Sequence, residues 1–349
     1  MSSQDMESIA RALVAPGKGL LAADESFGTI EKRFKAIDIP STEENRRGYR
    51  EMLFTTPKLG QSISGVIMFD ETIRQKAGNG TPFTDVLAGQ GIIPGIKVDK
   101  GAKALAKFPG EKITEGLDGL RERFKEYYQL GARFSKWRAV ITIGDNIPTR
   151  GCMALNAQAL GRFAALSQEA GLVPIVEPEV LMDGDHTIER CEAVTQQMQE
   201  LVFAELYSQR VVLEQMLLKP NMVVPGKDSP RQASVQEVAQ ATVRCLRRTV
   251  PAAVPGIVFL SGGQEDVLAT QHLNAINQLG PHPWQLTFSY GRALQDPSLK
   301  AWGGDSAKVL DGQKALYRRA HANGAAQVGR YSAILETAPV SLRPAPTPL

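Results

Sequence analysis

Three successive apolar runs end in charged pairs spaced two residues apart: Lys97 with Asp99, Lys136 with Arg138, and Glu177 with Glu179. A later run, Met216-Leu217-Leu218-Lys219-Pro220-Asn221, ends in a single lysine. Side chains two apart on a β-strand face the same way, so each pair is expected to project together. Proline cannot continue a ladder, which puts Lys219 at the C-terminal mouth of its strand. Taken alone, Lys219 reads as a snorkelling edge residue, because desolvating an ammonium is expensive unless it is paired or neutralised. Three charged pairs on consecutive runs, with Asp24 at the end of the first run, reverse that reading toward an active site. An amine attacking a carbonyl must be neutral, and burial and a neighbouring cation both favour that form. Lys219 is expected to meet Lys136 across a common mouth, with carboxylates beside them to shuttle protons. Such a set suggests Schiff-base chemistry on a ketone or aldehyde, with an ion pair that merely neutralises Lys136 as the plainer role for Glu177.

The elements that must position these groups recur along the chain. Apolar runs occur at 20–24, 65–70, 92–99, 133–140, 172–179, 216–221, 257–261 and 285–290. Helix-period segments lie between them, at 116–130, 156–170, 187–209, 235–249 and 266–279, and a short amphipathic helix is expected before Pro16-Gly17. Strands alternating with helices imply parallel pairing with crossover connections. Eight such units predict a single (β/α)8 barrel of the TIM type, whose functional groups sit at the strand C-termini. No Gly-rich dinucleotide turn follows the first run, which disfavours a doubly wound open sheet. The barrel is expected over residues 1–323, with 324–349, rich in Ala, Gly, Pro and Ser, as a flexible tail.

A second set points to phosphate. Ser261-Gly262-Gly263 and Ser289-Tyr290-Gly291-Arg292 follow the seventh and eighth runs, where barrels bind phosphate through backbone N–H groups and a helix N-terminus. Arg292 can grip phosphate oxygens bidentately. Lys97, Arg138 and Arg33 supply cations for a second phosphate at the far end of a linear substrate. The four histidines are dispersed and offer no metal-ligand spacing, and His186 in Asp183-Gly184-Asp185-His186 reads as helix capping. A net charge of +3 gives no argument for nucleic acid or membrane partners. Three cysteines suit reduced thiols, and no secretory signal or membrane-length apolar run is evident.

The segments GKGLLAADES, IPGIKVDKG, FSKWR, LVPIVEPE, LLKPNMV, FLSGGQ and LTFSYGRAL, in this order, resemble the strand-end motifs of class I fructose-1,6-bisphosphate aldolases over residues 10–320. The resemblance implies a cytoplasmic, metal-independent lyase without cofactor, assembled as a homotetramer. Such an enzyme cleaves fructose 1,6-bisphosphate reversibly to dihydroxyacetone phosphate and glyceraldehyde 3-phosphate in glycolysis and gluconeogenesis. It implies Lys219 as the Schiff-base lysine and Glu177 as the acid/base that forms and dehydrates the carbinolamine. Asp24 would take the proton from the fourth-carbon hydroxyl, supported by Lys136 and Glu179. Ser261, Gly262, Gly291 and Arg292 would hold the phosphate on the first carbon, and Ser26, Arg33, Lys97 and Arg138 would face that on the sixth. Many relatives end in a tyrosine that assists proton exchange. Here the last residue is Leu349 and the last tyrosine Tyr331, which leaves two routes: Tyr331 on a shorter tether, or Glu177 and solvent alone, the second being the one expected. Another lysine-dependent aldolase or transaldolase, or a scaffold for polyanionic partners, are the rival readings.

Overall fold

A computed structural model of the chain describes residues 3–342. Its organising sheet follows from runs that are apolar on both faces and therefore need cover on both sides. The strands are β1 (Gly19–Ala23), β2 (Ile63–Met68), β3 (Ile93–Lys97), β4 (Phe134–Ile141), β5 (Val173–Val180), β6 (Leu217–Leu218), β7 (Gly256–Phe259) and β8 (Gln285–Tyr290). Each pairs in parallel with the next, and β8 returns to β1 with Ser289 opposite Leu20, closing the expected (β/α)8 barrel. Pro220 cuts β6 short. The Lys219 amide still donates to the Val176 carbonyl at 2.8 Å, which holds that lysine in register with β5.

Helix α1 (Ser3–Leu13) precedes β1. Helices α2 (Phe27–Lys35) and α3 (Glu43–Phe54) lead to β2, and α4 (Asp70–Arg74) and α5 (Phe83–Ala88) to β3. Then come α6 (Leu120–Gln129), α7 (Arg150–Glu169), α8 (Ile188–Ser208), α9 (Val235–Thr249) and α10 (Asp266–Gln278), each leading into the next strand. After β8 follow α11 (Arg292–Trp302), α12 (Val309–Gln327) and α13 (Ile334–Thr337). An antiparallel ribbon, Ala102–Ala104 with Lys112–Thr114, stands beyond β3. Capping fixes several crossovers: Ser234 and Glu237 form a capping box on α9. Thr187, not His186, caps α8 by accepting from the Arg190 amide at 3.3 Å, and both His186 ring nitrogens lack partners.

The alternation of each strand sorts its residues into two cores. Outward residues such as Leu21, Trp137, Val176 and Phe288 pack under the helices. Inward residues form a smaller cluster of Leu20, Ala22, Ile67, Phe134, Val173, Ile175, Leu217 and Val258. Met6, Ala10, Leu13 and Val14 of α1 and the turn after it join that inner cluster and stopper the N-terminal end of the barrel. Along β5 the inward face reads Val173, Ile175, Glu177, Glu179, and along β4 Phe134, Lys136, Arg138. Aliphatic and aromatic groups thus fill the lower lumen, and charge begins only at the mouth.

The expected division at residue 324 falls inside α12. The small residues of this stretch are there for close packing rather than for flexibility. A Cβ on Gly324 would lie 2.5 Å from the Gly17 carbonyl oxygen, and the Gly17 amide donates to Gln327 Oε1 at 2.6 Å. Beyond α12, the Tyr331 amide donates to Asn274 Oδ1 at 3.0 Å and its hydroxyl donates to Glu336 Oε1 at 3.1 Å, in the outer helical layer. Residues 343–349 of the expected tail lie outside the described residues.

Filling the lower lumen depends on glycine. A Cβ on Gly95 would lie 2.2 Å from the Phe134 ring. Gly95→Ala is therefore expected to lower stability by roughly 1–3 kcal/mol through overpacking, with Phe134→Leu restoring part of the loss. Equilibrium denaturation checks this; equal midpoints for wild type and Gly95→Ala would contradict it.

Candidate active site

The inward charged residues meet at the C-terminal mouth of the barrel. Lys136 on β4 stands opposite Ile175 of β5, Glu177 lies two residues further along β5 opposite Arg138, Asp24 follows β1, and Lys219 follows β6. Lys136 Nζ lies 2.7 Å from Asp24 Oδ2 and 3.1 Å from Glu177 Oε2. Lys219 Nζ lies 3.2 Å from Glu177 Oε1. The sequence leads one to expect Lys219 to meet Lys136 directly; instead Glu177 stands between them and offers one oxygen to each. Both amines and Glu177 are about 3 % exposed as residues, so water does little to screen this set. Two carboxylates and two ammoniums balance its charge.

Local structure explains the placement. Asn221, just past Pro220, accepts from the Val180 amide at 2.9 Å and donates to Thr195 and to the Met222 carbonyl. This ties the end of β6 to β5 and α8 and fixes where Lys219 emerges. Glu179, one inward step above Glu177, accepts a hydrogen bond from Arg138 Nε at 2.5 Å. Asp99 accepts from the Gly101 and Arg138 amides and lies 3.5 Å from Lys97 Nζ. Asp70, which also ends an apolar run, is not part of the group. It begins α4 and pairs outward with Arg74 and the Tyr127 hydroxyl.

The electrostatics follow from this pairing. Burial alone would raise the Asp24 carboxyl, but the ammoniums of Lys136, Lys219 and Lys97 outweigh it and hold Asp24 well below the usual carboxylate range. Burial works the same way on Glu177, and Lys136, Lys219 and Arg138 again overcome it, so its carboxyl is held low. Burial would lower the Lys136 ammonium, yet Asp24, Glu177 and Asp99 hold it above the ordinary lysine range. Lys136 is therefore a fixed cation, not an amine depressed by its neighbour.

Above this set opens a cavity of about 1040 Å³. It is lined by Asp24, Ser26, Arg33, Lys97, Lys136, Arg138, Glu177, Glu179, Lys219, Ser261, Gly262, Gly291 and Arg292, so every expected site residue reaches one space. At one side Gly262 and Gly263 take left-handed φ of 62° and 100°. A Cβ on Gly263 would lie 3.1 Å from the Arg292 guanidinium, which needs that space to lie across the turn. Gly291 caps the N-terminus of α11, and Arg292, exposed, makes no hydrogen bond or ion pair among the described residues. Gln264 braces the turn by donating to the Ser261 carbonyl at 3.0 Å, and its own amide oxygen meets His272 Nδ1 at 2.6 Å. Burial pushes His272 down to about 4, so it serves as a neutral donor.

Lys97, Arg138 and the ribbon bound the opposite side. Ser26 Oγ, at the start of α2, lies 3.2 Å from Thr29 Oγ1. Arg33 stands within 3.7 Å of where a Gly291 Cβ would be, on the side of Arg292 rather than of Lys97. Sequence reasoning missed Glu25, Lys112, Asp296 and Lys300, of which all four line the cavity. Glu25 follows Asp24 directly, and an adjacent carboxylate reads as surplus charge unless the strand's alternation is carried one residue past its end. Among the described residues no group of three His, Cys, Asp or Glu side chains is disposed to hold a metal ion, and no helix is long and apolar enough to cross a membrane.

Comparison with known proteins agrees over almost the whole chain. The family model for fructose-bisphosphate aldolase class-I matches residues 5–341. A probable fructose-bisphosphate aldolase class 1 of Xanthomonas campestris pv. campestris is 58 % identical over 332 residues, 95 % of this chain and 99 % of its own length. The cytosolic fructose-bisphosphate aldolase 4 of Arabidopsis thaliana is 56 % identical over 317 residues, covering 90 % and 81 %. The aldolase of Plasmodium falciparum, from a ternary co-crystal structure, superposes with a TM-score of 0.93 at 50 % identity, covering 95 % of this chain and 96 % of the other.

The ion pairing sets a pH expectation. Asp24 has an unperturbed value of 3.8 and a lower folded one, so its contribution to stability is complete above the former and is lost as pH falls through the latter. Lys136 runs oppositely: its contribution is complete below 10.5 and is lost only as pH rises through its higher folded value. The melting-temperature gap between wild type and Asp24→Asn should be flat near neutral pH and shrink below about pH 4. A gap unchanged down to about pH 2 would show that Asp24 is not held by these cations.

Proposed function

The chain belongs to the class-I fructose-bisphosphate aldolase family, a family of lyases, and on that premise we propose that it cleaves fructose 1,6-bisphosphate reversibly through a covalent iminium on Lys219. The observation that carries this reading is the sharing of Glu177 between Lys136 and Lys219 beneath a cavity rimmed with cations. Lys219 passes one proton to Glu177, its one ion-pair partner among the described residues, and the neutral amine adds to the ketone carbon. Glu177 returns that proton to the carbinolamine hydroxyl, which leaves as water, and the iminium becomes the electron sink. Asp24, kept ionised by Lys136, removes the proton of the fourth-carbon hydroxyl. The bond between the third and fourth carbons breaks, its electrons pass to the iminium, and the aldehyde departs from an enamine. Protonation of the enamine and hydrolysis of the iminium release dihydroxyacetone phosphate.

Ser261, Gly262, Gly291 and Arg292 suit the first-carbon phosphate, where backbone donors and a helix N-terminus converge. Lys97, Arg138 and Ser26 suit the sixth. Arg33, assigned from sequence to the sixth-carbon end, is better assigned to the first by its place beside Gly291. Tyr331 gives its hydroxyl to Glu336 in the outer layer, which favours Glu177 and solvent for protonating the enamine. The family resemblance supports a homotetramer acting in glycolysis and gluconeogenesis, and the cytosolic Arabidopsis relative supports a cytoplasmic location.

Borohydride added with dihydroxyacetone phosphate should inactivate the enzyme and leave one adduct on the peptide containing Lys219. A label on another lysine, or activity abolished by a chelator with no label formed, would sink the proposal. Arg292→Ala should weaken the bisphosphate and dihydroxyacetone phosphate alike by about one to two decades, the loss of a charge-assisted contact of roughly 1.5–3 kcal/mol. Steady-state inhibition by dihydroxyacetone phosphate reads this directly, and an unchanged constant rules out the contact.

A further inference from the structure

Glu25 is one of the buried charged groups lining the cavity that the mechanism leaves unused. Following Asp24 by one residue, it borders the cavity but directs both carboxylate oxygens to side chains of α2, α3 and α11, and it is 8 % exposed. Its Oε1 accepts from Arg33 Nη1 at 2.6 Å and from Gln295 Nε2 at 2.7 Å, and its Oε2 accepts from Arg50 Nη2 at 2.6 Å. Gln295, on α11, also donates to the Ala22 carbonyl at 2.6 Å and accepts from the Tyr49 hydroxyl at 3.0 Å. One carboxylate is thereby tied to the end of β1, to α3 and to the first turns of α11. Burial would raise it, but Arg33 and Arg50 outweigh that and hold it ionised.

Its two arginine partners differ. The Arg50 side chain is 4 % exposed and does not line the cavity, whereas Arg33 does and is 16 % exposed. Arg33 makes one hydrogen bond among the described residues, through Nη1 to Glu25, so its remaining donors are free for a ligand. Its Nη2 stands beside Gly291, at the helix N-terminus that carries Arg292. An arginine on a flexible stem loses side-chain entropy when it grips an anion, and a carboxylate that fixes it beforehand removes part of that loss.

We propose that Glu25 is a positioning residue for the substrate: it holds the Arg33 guanidinium against the Gly291 turn, so that the phosphate on the first carbon meets an oriented cation. The proposal rests on the reading above that this phosphate docks at Gly291 and Arg292. Arg50, Tyr49 and Gln295 anchor the carboxylate, and Arg33 is the arm it aims. A carboxylate that merely braced α2 against α3 would affect every ligand of the cavity equally.

The test compares borohydride trapping on Lys219 by dihydroxyacetone phosphate and by unphosphorylated dihydroxyacetone. Wild type must trap both, and failure there defeats the reading of the site, not the role of Glu25. In Glu25→Gln the half-saturating concentration of dihydroxyacetone phosphate should rise about tenfold, a loss of about 1.4 kcal/mol. That of dihydroxyacetone should stay within about twofold, less than about half of that energy. Added to Arg33→Ala, Glu25→Gln should bring no further loss, because the arm it aims is gone. Should Glu25→Gln not fold, because Arg50 is left buried without its anion, Glu25→Gln with Arg50→Met removes both charges and is compared with Arg50→Met alone. Equal losses for the two ligands, or full additivity with Arg33→Ala, would overturn the proposal.

Discussion

Two ammoniums share the oxygens of Glu177 in a place nearly closed to water, and the rest of the site depends on that sharing. Removing one member would leave an uncompensated charge where desolvation is expensive, so the four groups stand or fall together. The neutrality of the set also assigns tasks. Lys136 has two carboxylates within 3.1 Å and is held as the ammonium, while Lys219 faces a single oxygen of Glu177. Chemistry and electrostatics are thus set by how many oxygens face each nitrogen.

The barrel supplies this arrangement by a simple device. The inward faces of β1, β3, β4, β5 and β6 carry apolar or small groups at their base and charge at or just past their ends, while β7 and β8 bring Ser261 and Ser289, so the lumen is apolar below and ionic above. The helices contribute from outside: α11 brings its N-terminus and Arg292 to the mouth, and α2 brings Arg33. Glycines at 262, 263 and 291 leave backbone and guanidinium close enough to enclose an anion.

Much of this was legible because strand alternation is a rigid rule: a lysine two residues after an inward leucine, as Leu217 and Lys219, must reach the same lumen. All eight strands could be placed by the same reasoning. What escaped was set by packing rather than period. Helices α2 to α5 are short or glycine-interrupted, and α12 was cut at Gly324 because small residues resemble breakers until the Gly17 backbone is seen against them. His186 looked like a cap, but the hydroxyl of its neighbour Thr187 has the geometry for it. Arg33 could be seen as a cation for phosphate, yet which end it serves depends on the turn of α2 over Gly291, which no local pattern encodes.

Helix α1 gives the barrel a floor. With Met6, Ala10, Leu13 and Val14 driven into the strand N-termini, the lumen has one doorway rather than two. Traffic is then last in, first out: whatever is bound deepest, at Lys219, cannot leave until anything lodged nearer the rim has gone. Any obstruction at the rim halts entry and exit together, so an occupant of the cationic rim alone would act as a stopper without touching the lysine beneath it.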